Sequence, residues 1–324
     1  MPSKLKHDFE FEPDYGYTLS QLKALHPDDR PRGFKSFWQN KYQHALQIRP
    51  DVAIQDCHQD TPNWRIFKCY YNSTKQMRCG GWLLLPHSGV VKQAIISAHG
   101  YGGIEQVDCP VSLYNTAVLM PCSRGIGLSA KAPISDNPMW HVLHNIQDKE
   151  RYIIGGCVQD LWCGVSALLR LFPQVTNKIG LMGSSFGGGL CIFASAFDPR
   201  IQRAHFHVPT FGNVALRLKL ATHGSGKALQ DFYQQQPKLA LSTLRYFDSA
   251  TAATYLRCPS HWALALFDPF VAPPGQFSAY NNAPQPKQLT VLKAGHFDYP
   301  EQQQQRQQVN QQLATFFAEL TKHE

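Results

Sequence analysis

Three features that would indicate other classes of protein are missing from this sequence of 324 residues. The nine cysteines are odd in number and include no Cys-x-x-Cys pair, which argues against a disulfide framework or a zinc site and favours reduced thiols. No apolar stretch approaches the length of a membrane span, and residues 1–10 lack the apolar segment of a secretory signal. We therefore expect a cytoplasmic protein that binds no membrane.

Clustered basic residues are the third missing feature. The chain has 31 Lys and Arg against 23 Asp and Glu, which gives a formal net charge of +8. These basic residues are dispersed, with no basic run and no interleaved aromatic residues, so the charge does not indicate nucleic-acid binding. It supports at most a mild attraction for anionic substrates.

Length and composition indicate one large folded domain. Hydrophobic residues make up 43% of the chain and aromatic residues 12%, which is enough for a sizeable core. We predict a single α/β domain over residues 1–324. Within it, residues 1–50 form an N-terminal extension with one helix at 34–46, and residues 212–258 form a helical, lid-like insertion.

Strands alternate with helices after an antiparallel beginning. The first two predicted strands, at 64–71 and 80–86, flank the turn-forming Asn72-Ser73-Thr74. The later alternation predicts a mainly parallel central sheet with helices on both faces. The later strands are predicted at 94–98, 117–120, 179–182, 201–208, 262–267 and 289–292, and the helices at 148–171, 187–197, 274–281 and 301–320.

A Gly-x-Ser-x-Gly pattern ends one of these strands. Residues 178–189 read Lys-Ile-Gly-Leu-Met-Gly-Ser-Ser-Phe-Gly-Gly-Gly, a strand that turns into a helix with Ser185 centred between Gly183 and Gly187. Such a nucleophile elbow presents a serine hydroxyl where a histidine can take its proton and helix-start N–H groups can bind an oxyanion. The neighbouring Ser184 is not centred between the glycines. The alternative interpretation is an ordinary junction of strand, turn and helix.

An acid and a histidine directly follow two later strands, in the chain order that α/β-hydrolases use. Asp268 and His296 are these residues, and both should lie at the carboxyl edge of the sheet with Ser185. We predict that Ser185 is the nucleophile, that His296 is the general base and acid, and that Asp268 fixes the histidine tautomer. Asp248 is a rival acid but resembles a helix N-cap, and Asp298 is interpreted as a loop-ordering residue.

Two backbone N–H groups are expected to bind the oxyanion of a tetrahedral intermediate. Phe186, which follows the serine, supplies one of them. Tyr101 supplies the other, because the glycines of the loop 99–103 allow the backbone to turn an N–H inward. His99 in the same loop is interpreted as structural. This chemistry requires neither a metal nor a cofactor.

Bulky residues are expected to narrow the substrate pocket. A narrow aromatic pocket favours an acetyl group over a long acyl chain, and we therefore expect a small-molecule ester as substrate. The residues predicted to line this pocket are Tyr101, Phe186, Pro209, Thr210 and Phe211.

Together these motifs resemble the acetyl xylan esterase and cephalosporin C deacetylase family of α/β-hydrolases. The resemblance extends over most of the chain, and its motifs are Phe37-Trp38, His99-Gly100-Tyr101-Gly102-Gly103, Arg124-Gly125, residues 183–189, Tyr246-Phe247-Asp248, Asp268 with Pro273-Pro274, Ala279-Tyr280-Asn281 and Gly295-His296. It implies the same triad of Ser185, Asp268 and His296 and the same oxyanion donors. It also implies an esterase that removes acetyl groups from sugars and related small alcohols, and a homo-oligomer.

Three positions depart from the family pattern. Phe186 stands where glutamine is usual, Ile126 ends a segment that usually reads Arg-Gly-Gln, and Phe297 stands where glutamate usually follows the histidine. These changes affect the pocket wall and the contacts between neighbouring loops and leave the triad intact. Two alternatives stay open, a peptidase of the prolyl oligopeptidase type and a hydrolase-like binding protein without turnover.

Overall fold

The structure, a computed structural model, describes residues 5–27 and 29–322. A nine-stranded sheet lies at the centre of these residues. The strands lie in the order β1-β2-β3-β5-β4-β6-β7-β8-β9. Their bounds are β1 (Ala53–Asp60), β2 (Trp64–Ser73), β3 (Met77–Pro86), β4 (Gln93–Ala98), β5 (Thr116–Pro121), β6 (Ile179–Ser184), β7 (Ile201–His207), β8 (Ser260–Ala265) and β9 (Lys287–Leu292).

Helices pack on both faces of this sheet. Over the described residues the α-helices are α1 (Leu19–Lys23), α2 (Phe34–Leu46), α3 (Pro138–His141), α4 (Ile153–Leu171), α5 (Phe186–Phe197), α6 (Val214–Arg217), α7 (Ser225–Gln235), α8 (Pro237–Leu244), α9 (Ser249–Ala253), α10 (Pro273–Asn282) and α11 (Gln302–Ala318). Among the described residues, no helix is long and apolar enough to cross a membrane.

The sheet is antiparallel at one end and parallel over the rest. Strands β1, β2, β3 and β5 pair antiparallel, and from β5 through β4 and β6 to β9 every neighbouring pair is parallel. The prediction of a mainly parallel sheet with an antiparallel beginning is thus confirmed. Strand β1 was not predicted, because nearly all its residues are exposed and it lacks the alternation of buried and exposed positions that marks a strand.

Side chains of successive strand residues pack into two separate hydrophobic cores, one on each face of the sheet. On β4, Ile96 belongs to a core formed with α2, α4, α5, α9 and α10, whereas its neighbour Ile95 faces a second core under α11. The apolar stripe of α11 that covers the second core consists of Val309, Leu313, Phe316 and Phe317.

The connection from β4 to β5 contains no helix, and it covers part of the sheet face on which α11 lies. These two strands are parallel neighbours, a pairing whose crossover usually contains a helix. Here the described residues 99–115 form only turns and irregular chain. Cys109, Val111 and Leu113 from this segment pack into the second core beside α11. An irregular loop therefore closes part of the sheet next to the carboxyl ends of its strands.

Candidate active site

The junction between β6 and α5 is a tight turn centred on Ser185. Ser185 has φ +55° and ψ −114°, a backbone conformation that is strained for a residue with a side chain and that recurs at functional turns. A Cβ at Gly183 would lie 2.6 Å from the carbonyl oxygen of Gly187, and one at Gly187 would lie 2.4 Å from that of Ala98. Gly183 and Gly187 therefore permit the close approach of chain segments at this turn.

The three side chains predicted to act together lie in one hydrogen-bonded chain. Nε2 of His296 is 2.8 Å from Oγ of Ser185, and Nδ1 of the same imidazole is 2.8 Å from Oδ2 of Asp268. The serine follows β6, the aspartate follows β8 and the histidine follows β9. Because these strands are parallel, their carboxyl ends bring the three loops to one edge of the sheet.

The carboxylate of Asp268 is completely buried and fully hydrogen-bonded. Its Oδ1 accepts the N–H groups of Phe270 at 2.9 Å and Val271 at 2.8 Å, and its Oδ2 accepts the amide of Gln276 at 3.2 Å in addition to the imidazole. A buried carboxylate with this many donors keeps a single orientation. Gln276 was not predicted from the sequence, because its role depends on the packing of α10 beside this loop.

The position of Gly295 explains how the imidazole reaches this carboxylate. A Cβ at residue 295 would lie 2.5 Å from Oδ2 of Asp268, so a side chain there would displace the acid or the histidine loop. The N–H of Gly295 donates to the carbonyl of Phe267 at 2.8 Å and fixes the two loops to each other. His296 itself has φ +49°.

Asp268 also sets the protonation of the imidazole. Burial lowers the pKa of His296, but the negative charge of Asp268 and the hydrogen bond to it outweigh that effect, so the pKa is raised above the ordinary histidine value. The imidazole side chain is 25% exposed and remains accessible from the pocket. The arrangement favours an imidazole that readily accepts a proton from the serine hydroxyl.

The loop after β4 packs directly against Ser185. A Cβ at Gly100 would lie 3.5 Å from the Cβ of Ser185, and the N–H of Gly103 donates to the carbonyl of Gly100, which closes a turn around Tyr101. The N–H of a central turn residue is left free by the hydrogen bond of its turn. The N–H of Phe186, at the start of α5, likewise has no partner within its helix. Both predicted donors therefore lie on segments adjacent to the serine.

His99, predicted to be structural, holds this loop. Its Nε2 accepts the N–H of Ser123 at 2.9 Å, so its Nδ1 carries the proton that it donates to the carbonyl of Gly100 at 2.6 Å. Burial lowers the pKa of His99, which favours this neutral form.

The side chains of Tyr101 and Phe186 are stacked on each other. Their ring centroids are 4.1 Å apart with an interplanar angle of 12°. The hydroxyl of Tyr101 donates to Nδ1 of His141 at 3.0 Å, because Nε2 of that imidazole donates to the carbonyl of Arg124 at 2.9 Å. Arg124 in turn forms a buried bidentate ion pair with Asp160. The two segments that carry the predicted donors are thus joined through their own side chains.

A pocket of about 460 Å³ opens beside Ser185 and His296. Three of the five residues predicted to line it do so, namely Tyr101, Phe186 and Thr210. Pro209 and Phe211 are not among its lining residues, and both are buried. The ring of Phe211 lies 6.2 Å from that of Phe186 and supports it from behind. The other residues that line the pocket are Gly100, Gly102, Pro138, Ser184, His223, Gly224, Ser225, Phe270 and Val271.

Residues 5–17, which we call the N-terminal segment, brace the loops of the acid and the histidine. The carbonyl of Pro13 accepts the N–H of Asp268 at 3.0 Å. The ring of Phe9 lies 5.8 Å from that of Phe297 and 6.5 Å from that of Phe267. Phe267 and Phe297 are the chain neighbours of Asp268 and His296, respectively. The segment therefore contacts both loops through residues adjacent to the proposed site.

The rival residues have other roles or positions. Asp248 accepts the N–H of Ala250 at 2.9 Å as the N-cap of α9, which confirms its prediction as a cap. Burial raises the pKa of Asp248 to about 6. Asp298 is exposed, and Ser184 is not hydrogen-bonded to His296 within the described residues.

The sequence of the chain matches the family model of acetyl xylan esterases over residues 15–315. The chain belongs to the acetyl xylan esterase family. It is therefore a carboxylic ester hydrolase. The match begins within the N-terminal segment, so Phe9 and Pro13 lie outside the region that the chain shares with the family model.

Solved structures confirm the α/β-hydrolase fold. An acetyl xylan esterase from Paenibacillus sp. R4 matches with a TM-score of 0.77 and 22% identity, covering 91% of this chain and 99% of its own. Acetyl xylan esterase 1 from Thermoanaerobacterium sp. JW/SL YS485 matches with a TM-score of 0.78 and 17% identity, covering 94% and 99%. An acylaminoacyl peptidase from Pyrococcus horikoshii matches with a TM-score of 0.60 and 16% identity, covering 81% of this chain and 43% of the peptidase.

Proposed function

We propose that the protein is a serine esterase that hydrolyses small acyl esters, acetyl esters above all, of sugars or related small molecules. The observation that carries this proposal is the imidazole of His296, which lies 2.8 Å from both Oγ of Ser185 and Oδ2 of Asp268. A nucleophile, a base and an orienting acid within hydrogen-bond distance form the arrangement that acyl transfer requires.

The first half of the reaction forms an acyl-enzyme. Oγ of Ser185 attacks the ester carbonyl carbon while Nε2 of His296 takes the hydroxyl proton. The negative charge that develops on the carbonyl oxygen is bound by the N–H groups of Tyr101 and Phe186. The bond from the carbonyl carbon to the alcohol oxygen then breaks, and the alcohol leaves with the proton that His296 returns. Asp268 stabilises the imidazolium throughout and does not itself take the proton.

The second half releases the acid. A water molecule gives a proton to Nε2 of His296 and attacks the acyl carbon, and the same N–H groups bind the second oxyanion. Collapse of this intermediate breaks the bond to Oγ of Ser185, to which His296 returns the proton. The products are one alcohol and one carboxylic acid, and the serine is regenerated.

The stacked rings of Tyr101 and Phe186 support a preference for short acyl groups, because they restrict the space beside the serine. The test is a comparison of kcat/KM for nitrophenyl acetate and nitrophenyl octanoate, followed by acetylated xylo-oligosaccharides, acetylated monosaccharides and cephalosporin-type acetates. We expect the short ester to be preferred by at least about tenfold. Equal rates for both acyl chains would contradict the proposed selectivity.

The remaining alternatives are outcomes of the same measurements. A faster reaction with an aminoacyl nitroanilide than with the acetate would favour a peptidase. Absence of any turnover, together with no labelling of Ser185 by a fluorophosphonate, would favour a binding protein without catalysis.

A further inference from the structure

A second cavity lies on the other side of His296, under the irregular loop between β4 and β5. Its volume is about 500 Å³, and it is bounded by Pro110 and Val111 of that loop and by the first half of α11. Ser184 and His296 line both this cavity and the pocket beside Ser185, whereas Ser185 itself lines only the pocket. The imidazole thus separates two spaces, only one of which the proposed reaction uses.

The polar side chains that line the second cavity indicate that its ligand is an anion. Its described lining contains no Asp or Glu, although it includes an arginine and several histidines. Arg306 stands at its exposed rim, and none of the ion pairs among the described residues involves this guanidinium. Asn310, one turn along α11, and Gln302, one turn before, add amide donors to the same wall.

His207 adds an imidazole to the lining of this cavity. It is half-buried, lines the cavity, and its imidazole forms no hydrogen bond with any described residue. Burial lowers the pKa of His207 to about 4, and the charges of His296 and Arg306 act in the same direction. The ring is therefore neutral at pH 7 and can donate one N–H. His296 and Arg306 line the same cavity as His207.

Apolar side chains, among them Met182, Val309 and Leu313, also line the cavity. A ligand that fits both the polar and the apolar lining residues has one negatively charged group attached to a compact apolar group. A carboxylate suits the planar guanidinium because it can accept two parallel hydrogen bonds. A cavity of this size lies within the usual range for small-molecule sites.

We infer that this cavity is a binding site for a small aromatic or branched aliphatic carboxylate, held by Arg306 and His207 against the back of the His296 imidazole. A bound carboxylate stabilises the protonated imidazole, so less of the free base remains at neutral pH. The ligand thus inhibits ester hydrolysis without competing for the pocket. This inhibition rests on the proposed function, whereas the binding itself does not.

Calorimetric titration with benzoate tests the binding in the wild type and in Ser185→Ala. We expect binding in both proteins, at least tenfold weaker binding in Arg306→Gln and in His207→Leu, and no heat with neutral benzamide. Lys293→Gln is the matched control, because Lys293 lies near the same helix but is paired with Glu301 and does not line the cavity. Unchanged binding of benzoate to Arg306→Gln, or equal binding of benzamide, would overturn the inference.

The kinetics of nitrophenyl acetate hydrolysis test whether benzoate binds in the second cavity or in the pocket beside Ser185. Benzoate should lower kcat and leave KM unchanged, and this inhibition should disappear in Arg306→Gln. Acetate, the product of the test reaction, should inhibit more weakly because it cannot fill the apolar part. Purely competitive inhibition by benzoate would place it in the pocket beside Ser185 and would overturn the inference. If ester hydrolysis fails while benzoate binding depends on Arg306, the proposed function is wrong and the binding site stands.

Discussion

The two sides of the active site are built in different ways. The serine side consists of the β6–α5 turn and the loop after β4, which are joined by the stacked rings of Tyr101 and Phe186 and by buried His141. The histidine side consists of two loops that are braced by the N-terminal segment at a partly exposed aromatic cluster. One side is thus fixed by the core, and the other by contacts with a segment more than 250 residues away in sequence.

This difference predicts unequal tolerance to change. Loss of a buried polar link on the serine side leaves an unsatisfied group and is expected to shift a proposed oxyanion donor. Loss of an aromatic contact on the histidine side removes apolar burial but leaves the hydrogen bonds of Asp268 in place.

Replacement of the orienting acid should have the largest effect. In Asp268→Asn the side chain no longer stabilises the imidazolium or fixes the tautomer, and we expect kcat for nitrophenyl acetate to fall by about 10³–10⁴-fold. Asp298→Asn is the matched control, because Asp298 is exposed and only two residues beyond His296, and it should retain nearly full activity. Similar losses in both variants would refute the assignment of Asp268.

Disruption of the serine side should come next. His141→Ala removes the acceptor of the Tyr101 hydroxyl, and we expect kcat to fall by about 10–100-fold with little change in KM, because oxyanion binding acts in the transition state. Tyr101→Phe keeps the ring stack and loses only the hydroxyl, so it should lose less than His141→Ala. Steady-state kinetics check both. A rise in KM with unchanged kcat would mean that His141 supports the substrate pocket instead.

Disruption of the histidine side should be milder. Phe9→Ala removes a ring that contacts Phe267 and Phe297, and we expect a loss of about 1–2 kcal/mol in the free energy of unfolding and a fall in kcat of less than about tenfold. Thermal unfolding and kinetics measure the two effects. In Phe11→Ala, the matched control, the lost ring stacks on Phe9 and lies tilted against Tyr15 and His223. It has no described ring contact with Phe267 or Phe297. An equal loss of kcat in both variants would contradict a specific brace by Phe9.

Acidification should affect the histidine side first. The proposed mechanism requires the free base of His296, so kcat/KM should fall as the pH drops through the pKa of this group, which Asp268 raises above the ordinary histidine value. Burial lowers the pKa of His141 to about 4, so the link to Tyr101 persists until about that pH. A pH profile of kcat/KM should therefore show one proton-dependent limb at the raised pKa of His296 and a second only near pH 4. The second limb should be absent in His141→Ala.

The features that could be predicted from the sequence are those that directly follow a single strand. The turn at Ser185, the positions of Asp268 and His296 after their strands and the glycine loop at Tyr101 each have a local signal. Residues 104–115, the rest of the β4–β5 connection, and exposed β1 have none, since neither has a regular pattern of buried residues. The roles of His141 and Phe9 were not predicted, because each depends on a contact between residues that are distant in sequence and becomes evident only after the sheet is assembled.

In the proposed mechanism, the hydroxyl of Ser185 attacks the ester. Incubation with a fluorophosphonate followed by peptide mass spectrometry tests this attack directly, with Ser184→Ala as the control for the adjacent serine. We expect a single adduct on Ser185 in the wild type and in Ser184→Ala, and neither adduct nor measurable turnover in Ser185→Ala. Near-normal hydrolysis of nitrophenyl acetate by Ser185→Ala, or an adduct on another residue, would contradict this mechanism.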